Sequence, residues 1–521
     1  MSTAIRADVA VVGAGPAGMA AALAAADLGC RVILVDTAAA IGGQIYRPPA
    51  FTGAGAAAHA TAPRMPRRLR RAASHRGVHH LPQTTVWHAE ASVGRPREAE
   101  AGAGRPGEVK ASAARPREEQ AEPEFVLRLA DAAGRAPAGN AGPDVLRARA
   151  VVVATGATEI ALPFPGWDLP GVTTAGAAQA LLKGQGVAVG HRVLVSGSGP
   201  LLLPAAAALA ASGVRVVAVL EATAPATAAA RAAGLAPFPG KVREAAGYAT
   251  VLARHRVPVL PGWAVIACHG TGRVQRATIA RVTRDWRPVA GSEREVAVDA
   301  VHASFGFVPA LELPRLLGCA DVPQPGRPAA SVWHDADLAT SVPGVFAAGE
   351  TTGVAGAEVA ELEGYIAGAA AARHLGKVTA ATFGTRTAKV RAALGRARRF
   401  AAVLDGLYPF MAGWTDWPAP DTIACRCEEV PWSAIGDAVT AGARDVRAVK
   451  GVSRCGMGYC QGRVCGPILQ QAVATAAGRG LSEVGDLHSR PLLAPTGLGL
   501  IAAARADSPA SADNQHLGRL Q

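Results

Sequence analysis

The same plan is written twice along this chain, and nothing else in the sequence restricts the fold so tightly. Asp8-Val-Ala-Val-Val-Gly13-Ala-Gly15-Pro16-Ala17-Gly18 runs from an apolar strand through a glycine turn into an alanine-rich helix, and Arg31-Val-Ile-Leu-Val-Asp36 follows as a second strand ending in an acid. Arg192-Val-Leu-Val-Ser-Gly197-Ser-Gly199-Pro200 and Arg215-Val-Val-Ala-Val-Leu-Glu221 repeat strand, turn, helix, strand and terminal acid at almost the same spacing. Strands apolar along their whole length must be covered on both faces, which puts helices above and below a parallel sheet. Two such units in 521 residues predict more than one core, since a domain typically holds ~100–200 residues.

The predicted class is α/β, with two Rossmann-like dinucleotide-binding domains, the second inserted in the first, and a small α-rich C-terminal module. The first domain takes residues 1–160 and 300–378 and the second 161–299. A linker is expected at 379–419, the C-terminal module at 420–490 and a mobile tail at 506–521. Between 94 and 122 the hydrophobic pattern vanishes, and Arg95, Arg105 and Arg115 each precede a proline. That stretch has too little apolar surface to offset the entropy of ordering it, so it reads as a disordered insertion between strands near Thr85–Trp87 and Phe125–Leu129.

The formal charge of +13 is spread rather than striped, and only 4% of residues are aromatic. Neither the basic stripe nor the stacking platforms of a nucleic-acid binder are present. Apolar runs such as 20–26 fall short of the ~20 residues needed to cross a bilayer. The first strand begins too early to leave room for a cleavable leader, so a cytoplasmic location is expected. Five of the eight cysteines crowd between Cys425 and Cys465, which suits a metal site better than a disulfide framework.

At the first glycine turn, Gly13 allows the tight bend, Gly15 lets the backbone approach a pyrophosphate and Gly18 lets the helix pack close to its strand. Pro16 and Ala17 open that helix, whose N-terminus offers free N–H groups to an anion. Asp36 stands where a carboxylate binds ribose hydroxyls. In the second unit Leu202 replaces the third glycine, which speaks against a nicotinamide nucleotide there, although Glu221 can still hold a ribose. No cysteine pair follows the first acid, where Gly42-Gly43-Gln44-Ile-Tyr-Arg47 stands instead. Cys30 and Cys319 read as small core residues, and Cys268 stands alone. His302 and Arg47 are further candidates near a bound cofactor.

Cys425-Arg-Cys427 and the later run Cys455-Gly-Met-Gly-Tyr-Cys460-Gln-Gly-Arg-Val-Cys465 supply thiols from glycine-rich turns. Such turns suit an iron–sulfur cluster, with a zinc ribbon as the alternative. Arg426, Arg454 and Arg463 are placed to offset cluster charge.

Ala154-Thr155-Gly156 and Gly349-Glu350 resemble the second and third FAD motifs of the two-dinucleotide-binding-domain flavoproteins. The C-terminal segment resembles the 2Fe-2S domain first known from bacterioferritin-associated ferredoxin, on whose ligand positions Cys425, Cys427, Cys460 and Cys465 fall, with Cys455 an additional and dispensable thiol. With Gly43, Gln44 and Arg47 also matching, most of the chain is similar to the A subunits of opine oxidases, the B subunit of hydrogen cyanide synthase and the alpha subunits of heteromeric proline and hydroxyproline dehydrogenases. The resemblance implies an FAD-dependent electron-transferring subunit of an amine or amino-acid dehydrogenase. It also implies a glycine/D-amino-acid-oxidase-like flavoprotein partner, a small ferredoxin-like subunit in some members, and FMN at a subunit interface, for which no motif stands here. Two other readings stay open: an NAD(P)H-dependent flavin reductase feeding a ferredoxin or terminal enzyme, and a structural assembly subunit with vestigial nucleotide sites.

Overall fold

Residues 4–49, 64–91, 124–135, 144–487 and 490–506 are described by a computed structural model of the chain. The insertion expected at 94–122, and the expected tail apart from Ala506, lie outside the described residues.

The first sheet takes β1 (Ala4–Val12), β2 (Val32–Val35), β3 (Val78–Leu81), β4 (Thr84–Ala91), β5 (Phe125–Asp131) and β6 (Val145–Val153) in the order β3-β2-β1-β6-β5-β4. Strands β3, β2, β1 and β6 run parallel, and β5 and β4 extend the sheet antiparallel. Helix α1 (Pro16–Ala26) leaves β1 and is buried all round, which its alanines permit.

The second sheet is wholly parallel. Its strands are β7 (Val172–Thr174), β8 (Arg192–Gly197), β9 (Arg215–Glu221), β10 (Val259–Pro261) and β11 (Ala300–Ser304), in the order β10-β9-β8-β11-β7. Helix α2 (Leu202–Ala211) covers it. The boundary expected at residue 300 therefore moves. Residues 300–304 form an inner strand of the second sheet, buried on both faces between β8 and β7. The chain leaves that sheet only at Phe307–Pro309, which pairs with Ala157–Glu159.

The first sheet is then completed by β12 (Val345–Ala347), parallel to the end of β6. Helix α3 (Ala357–His374) follows and presses against α1. A Cβ on Gly364 or Gly368 would collide with the backbone of Ala17 or Ala21, so glycine is what allows the two helices to approach this closely. Residues 379–419, expected as a linker, hold the 28-residue helix α4 (Ala380–Leu407).

The C-terminal module packs α5 (Val446–Ser453) and α6 (Gly466–Ala477) beside a short strand pair at 423–431. It shares a core with the second unit. Trp417 Nε1 donates to Trp286 O (2.7 Å), Trp167 Nε1 donates to Ile423 O (2.6 Å), and Arg426 stacks on the Trp167 ring at 4.0 Å. Among the described residues no helix is long and apolar enough to cross a membrane.

Candidate cofactor sites

Four turns meet at the carboxyl ends of the parallel strands of the first sheet. Gly13 follows β1, Asp36 follows β2, Thr155-Gly156 follows β6 and Gly349-Glu350 follows β12. Backbone bonds lace them together: Gly13 N to Val35 O (2.8 Å), Ala154 N to Val12 O (2.9 Å) and Ala348 N to Val153 O (3.0 Å). This edge, where strand order reverses, is where open α/β sheets bind nucleotides. Gly13 has φ +105°, and a Cβ there would strike the Ala154 carbonyl. A Cβ on Gly18 would strike the Gly13 carbonyl, so both glycines serve close packing. Gly15 and Gly156 differ. Among the described residues, a Cβ on Gly15 would find its nearest neighbour 4.0 Å away, and one on Gly156 would meet nothing within 4 Å. Bare backbone therefore faces open space at two strand ends, beside the N-terminus of α1, as a pyrophosphate cradle requires.

Asp36 accepts from Ala14 N (2.5 Å) and Ala38 N (2.6 Å), which fixes it at the rim of the cradle. Gly43 lies over the turn, where a Cβ would come within 2.8 Å of the Gly15 Cα. Gln44 accepts from Arg47 (2.7 Å), whose buried Nε has no acceptor among the described residues. Pro16 takes the first helical position, where its missing N–H costs nothing. Ala17 packs beneath Gly349. Thr155 Oγ1 donates to Ala310 O (3.0 Å), fastening the second motif. Glu350 accepts from Gly356 N (2.9 Å); burial, aided by the charge of Glu363, pushes its carboxyl up to about 7.

Glu363 belongs to this site, although nothing in the sequence motifs points to it. Its Oε2 accepts from Gly349 N (2.9 Å) and Thr352 Oγ1 (2.7 Å), and its Oε1 from Arg398 on α4 (2.8 Å). The buried carboxylate thus ties the Gly349-Glu350 turn to α4. Glu363→Ala would strand the Gly349 N–H and free Arg398, while Thr352 Oγ1 keeps Gly349 O as acceptor (2.8 Å), a loss of about 1–3 kcal/mol. The expected result is a lower melting temperature and FAD lost during gel filtration, with Glu363→Gln intermediate. Wild-type melting and FAD retention in Glu363→Ala would contradict this role.

The second unit repeats the geometry in part. Glu221 accepts from Gly199 N (3.1 Å) and Thr223 N (2.8 Å), as Asp36 does in the first unit, and Gly197 takes φ +147° against the Ser304 carbonyl. The missing third glycine leaves its mark. Helix α1 begins 3 residues after Gly13 (16 − 13), whereas α2 begins 5 after Gly197 (202 − 197), with Leu202 buried in the core. His302 lies in the second sheet and is fully buried, its Nδ1 2.8 Å from Thr173 Oγ1. Burial holds its pKa down to about 4, which makes it a core histidine. Burial likewise raises Cys30 and Cys319 to about 11 and Cys268 to about 12, leaving inert thiols.

The five C-terminal cysteines gather from three elements. Cys425 ends a strand, Cys455 follows the left-handed cap Arg454 (φ +65°) of α5, and Cys465 precedes α6. The sulfurs of Cys425, Cys455 and Cys465 all lie within 4.8 Å of one another, and all three residues are buried. Cys427 and Cys460, both partly exposed, contact each other beside the triangle, near enough for Cys425 to act on Cys427 and Cys460 on Cys455. Hydrogen bonds from Cys455 and Cys465, with the N–H groups of Gly456 and Glu428, draw Cys425 far below the usual thiol range. Thiols crowded together within reach of backbone N–H groups are the donor set of a metal–sulfur site. The nearby arginines are engaged elsewhere: Arg426 on Trp167 and Arg454 on Glu428 (2.7 Å). Arg463 bonds Cys460 O (3.0 Å) and Glu312 (3.1 Å), and Glu312 also pairs with Arg490 (3.3 Å). These pairs tie the thiol loop to the first unit.

Residues 7–374 match the pyridine nucleotide-disulphide oxidoreductase family, and residues 425–505 match the sarcosine oxidase A3 domain. The chain is 32% identical over 511 residues to the A subunit of opine oxidase from Agrobacterium tumefaciens, covering 95% of this chain and 91% of the relative. It is 28% identical over 488 residues to HcnB, a hydrogen cyanide synthase subunit of Pseudomonas protegens, covering 93% and 95%. The fold is similar to that of L-proline dehydrogenase from P. horikoshii, with a TM-score of 0.62 at 17% identity over 96% of this chain and 80% of that one. The chain belongs to the pyridine nucleotide-disulphide oxidoreductase family, on the branch that holds the A subunits of opine oxidases, and is an FAD-dependent oxidoreductase.

Proposed function

We propose that this chain is the electron-transferring subunit of a heteromeric amine or amino-acid dehydrogenase or oxidase, of the opine, proline/hydroxyproline or glycine type. FAD would be held by Gly13, Gly15, Pro16, Ala17, Gly18 and Asp36, under Gly43, Gln44 and Arg47, with Ala154, Thr155, Gly156, Gly349 and Glu350 closing the site. A 2Fe-2S cluster would sit among the five C-terminal thiols. The resemblance implies Cys425, Cys427, Cys460 and Cys465 as ligands, and Cys425 and Cys465 are also members of the buried triangle. Bound flavin supplies two-electron chemistry and the cluster one-electron steps. The chain's own residues hold both groups in fixed relation.

The observation that carries this reading is the thiol pocket, fastened to the first unit by the Arg463 and Arg490 pairs with Glu312. A flavin reductase acting alone has no need of it. The opine oxidase and hydrogen cyanide synthase relatives are by name subunits, which supports a partner chain here; the resemblance implies that it is glycine/D-amino-acid-oxidase-like. The nucleotide-like geometry around Glu221 favours a second reading, an NAD(P)H-dependent reductase. One experiment separates them. The isolated chain should show little amino-acid-dependent dye reduction, gain it when the oxidase-like partner is added, and keep its flavin oxidised in NADH. Robust amino-acid turnover by the chain alone would refute the relay, and rapid bleaching by NADH would favour the reductase.

A further inference from the structure

We propose that Cys455 is itself a ligand of the cluster. The buried triangle Cys425, Cys455 and Cys465 would supply three thiolates, and one member of the Cys427–Cys460 pair the fourth. This inference rests on the cluster reading above.

Two sulfurs on one tetrahedral metal, each at ~2.3 Å, stand about 3.8 Å apart. The three sulfurs of the triangle all lie within 4.8 Å of one another, so any two of them can share one iron, and the third serves the other iron after a rotation of its side chain. Cys455 is the most buried of them, at 0% exposure against 1% for Cys425 and 3% for Cys465. If Cys425 and Cys465 bind iron, Cys455 is in contact with two bound sulfurs and cannot stand apart from the site. Its placement is also built rather than incidental. Arg454, a non-glycine residue at φ +65°, turns the chain into the pocket just before it. The Arg454 guanidinium is held by Glu428, the residue after Cys427, with contacts of 2.7 and 3.0 Å. The N–H of Cys455 is fixed on Ser453 Oγ at 3.2 Å. The ion pair that orders the Cys425-Arg-Cys427 loop therefore also delivers Cys455. Cys427 and Cys460 meet each other beside the triangle, Cys427 near Cys425 and Cys460 near Cys455, and both are partly open to solvent.

The test compares anaerobically purified wild type, Cys455→Ala and Cys455→Ser by FAD, iron and acid-labile sulfide content and by electron paramagnetic resonance of the reduced protein. Cys455→Ala is expected to lose at least half of its iron while keeping FAD. Cys455→Ser is expected either to lose iron or to keep it with displaced g-values, because oxygen replaces sulfur on iron. A purely structural thiol would not move the g-values of a retained cluster. Full iron and sulfide with an unchanged signal in Cys455→Ala overturns the inference. If the alanine variant also loses FAD and so fails to fold, an unchanged cluster spectrum in Cys455→Ser overturns it equally. A wild-type chain holding no iron or sulfide would sink the cluster reading itself. A wild-type cluster indifferent to Cys455 would sink only the ligand assignment.

Discussion

Gly15→Leu should give a folded chain that no longer retains FAD. Gly15 sits at φ −71°, a conformation open to any residue, and among the described residues no atom approaches a Cβ there closer than 4.0 Å. Leucine is therefore tolerated by the flavin-free protein. Its side chain would fill the space where a pyrophosphate has to meet the backbone. Affinity for FAD should fall by at least about 100-fold, at ~1.4 kcal/mol for each factor of ten. Gly13 and Gly18 make the useful contrast. A methyl group at either strikes backbone carbonyl oxygen, so alanine at those positions should lower the melting temperature as well as FAD binding. Flavin absorbance after purification, with titration of added FAD, decides the matter. Wild-type occupancy in Gly15→Leu would overturn the placement of the cofactor.

The duplicated plan is legible in the sequence because its demands are local. A glycine turn at φ +105° or +147° and a strand apolar on both faces leave their mark in consecutive residues. The order of the motifs likewise announces that one unit is inserted in the other. Residues whose partners are distant in sequence are not legible. Glu363 lies in an alanine-rich helix and reads as a solvent-facing carboxylate. Its burial depends on Arg398, 35 residues later, and on the turn it holds. The only local hint is its neighbour Gly364, which with Gly368 marks the face pressed on α1. Residues 300–304 fall on the wrong side of the expected boundary because their strand partners, at Val172–Thr174 and Val193–Gly197, lie far back in the chain; burial beside Thr173 keeps His302 neutral. The arginines near the cysteines read as charge compensation; the partners that position them, Trp167, Glu428 and Glu312, are ones that only the fold supplies. The resemblance sets Cys455 aside, and the left-handed turn at Arg454 places it against Cys425 and Cys465.

Cys465→Ala is the other change with a large expected effect. Cys465 belongs both to the ligand set implied by resemblance and to the buried triangle, so its loss removes a ligand whichever thiol is fourth. Iron and sulfide should fall close to zero. FAD should remain, because the glycine turns lie on the first sheet while Cys465 precedes a helix of the C-terminal module. Loss of FAD together with iron would mean that the two sites do not stand independently.

The central claim, that one chain joins a flavin site to an iron–sulfur site, is tested most directly by metal and sulfide analysis of the wild-type chain purified without oxygen, together with its electron paramagnetic resonance after reduction. About two irons and about two sulfides per chain are expected beside bound FAD, with a paramagnetic signal in the reduced state. Stoichiometric zinc with no iron or sulfide would contradict it.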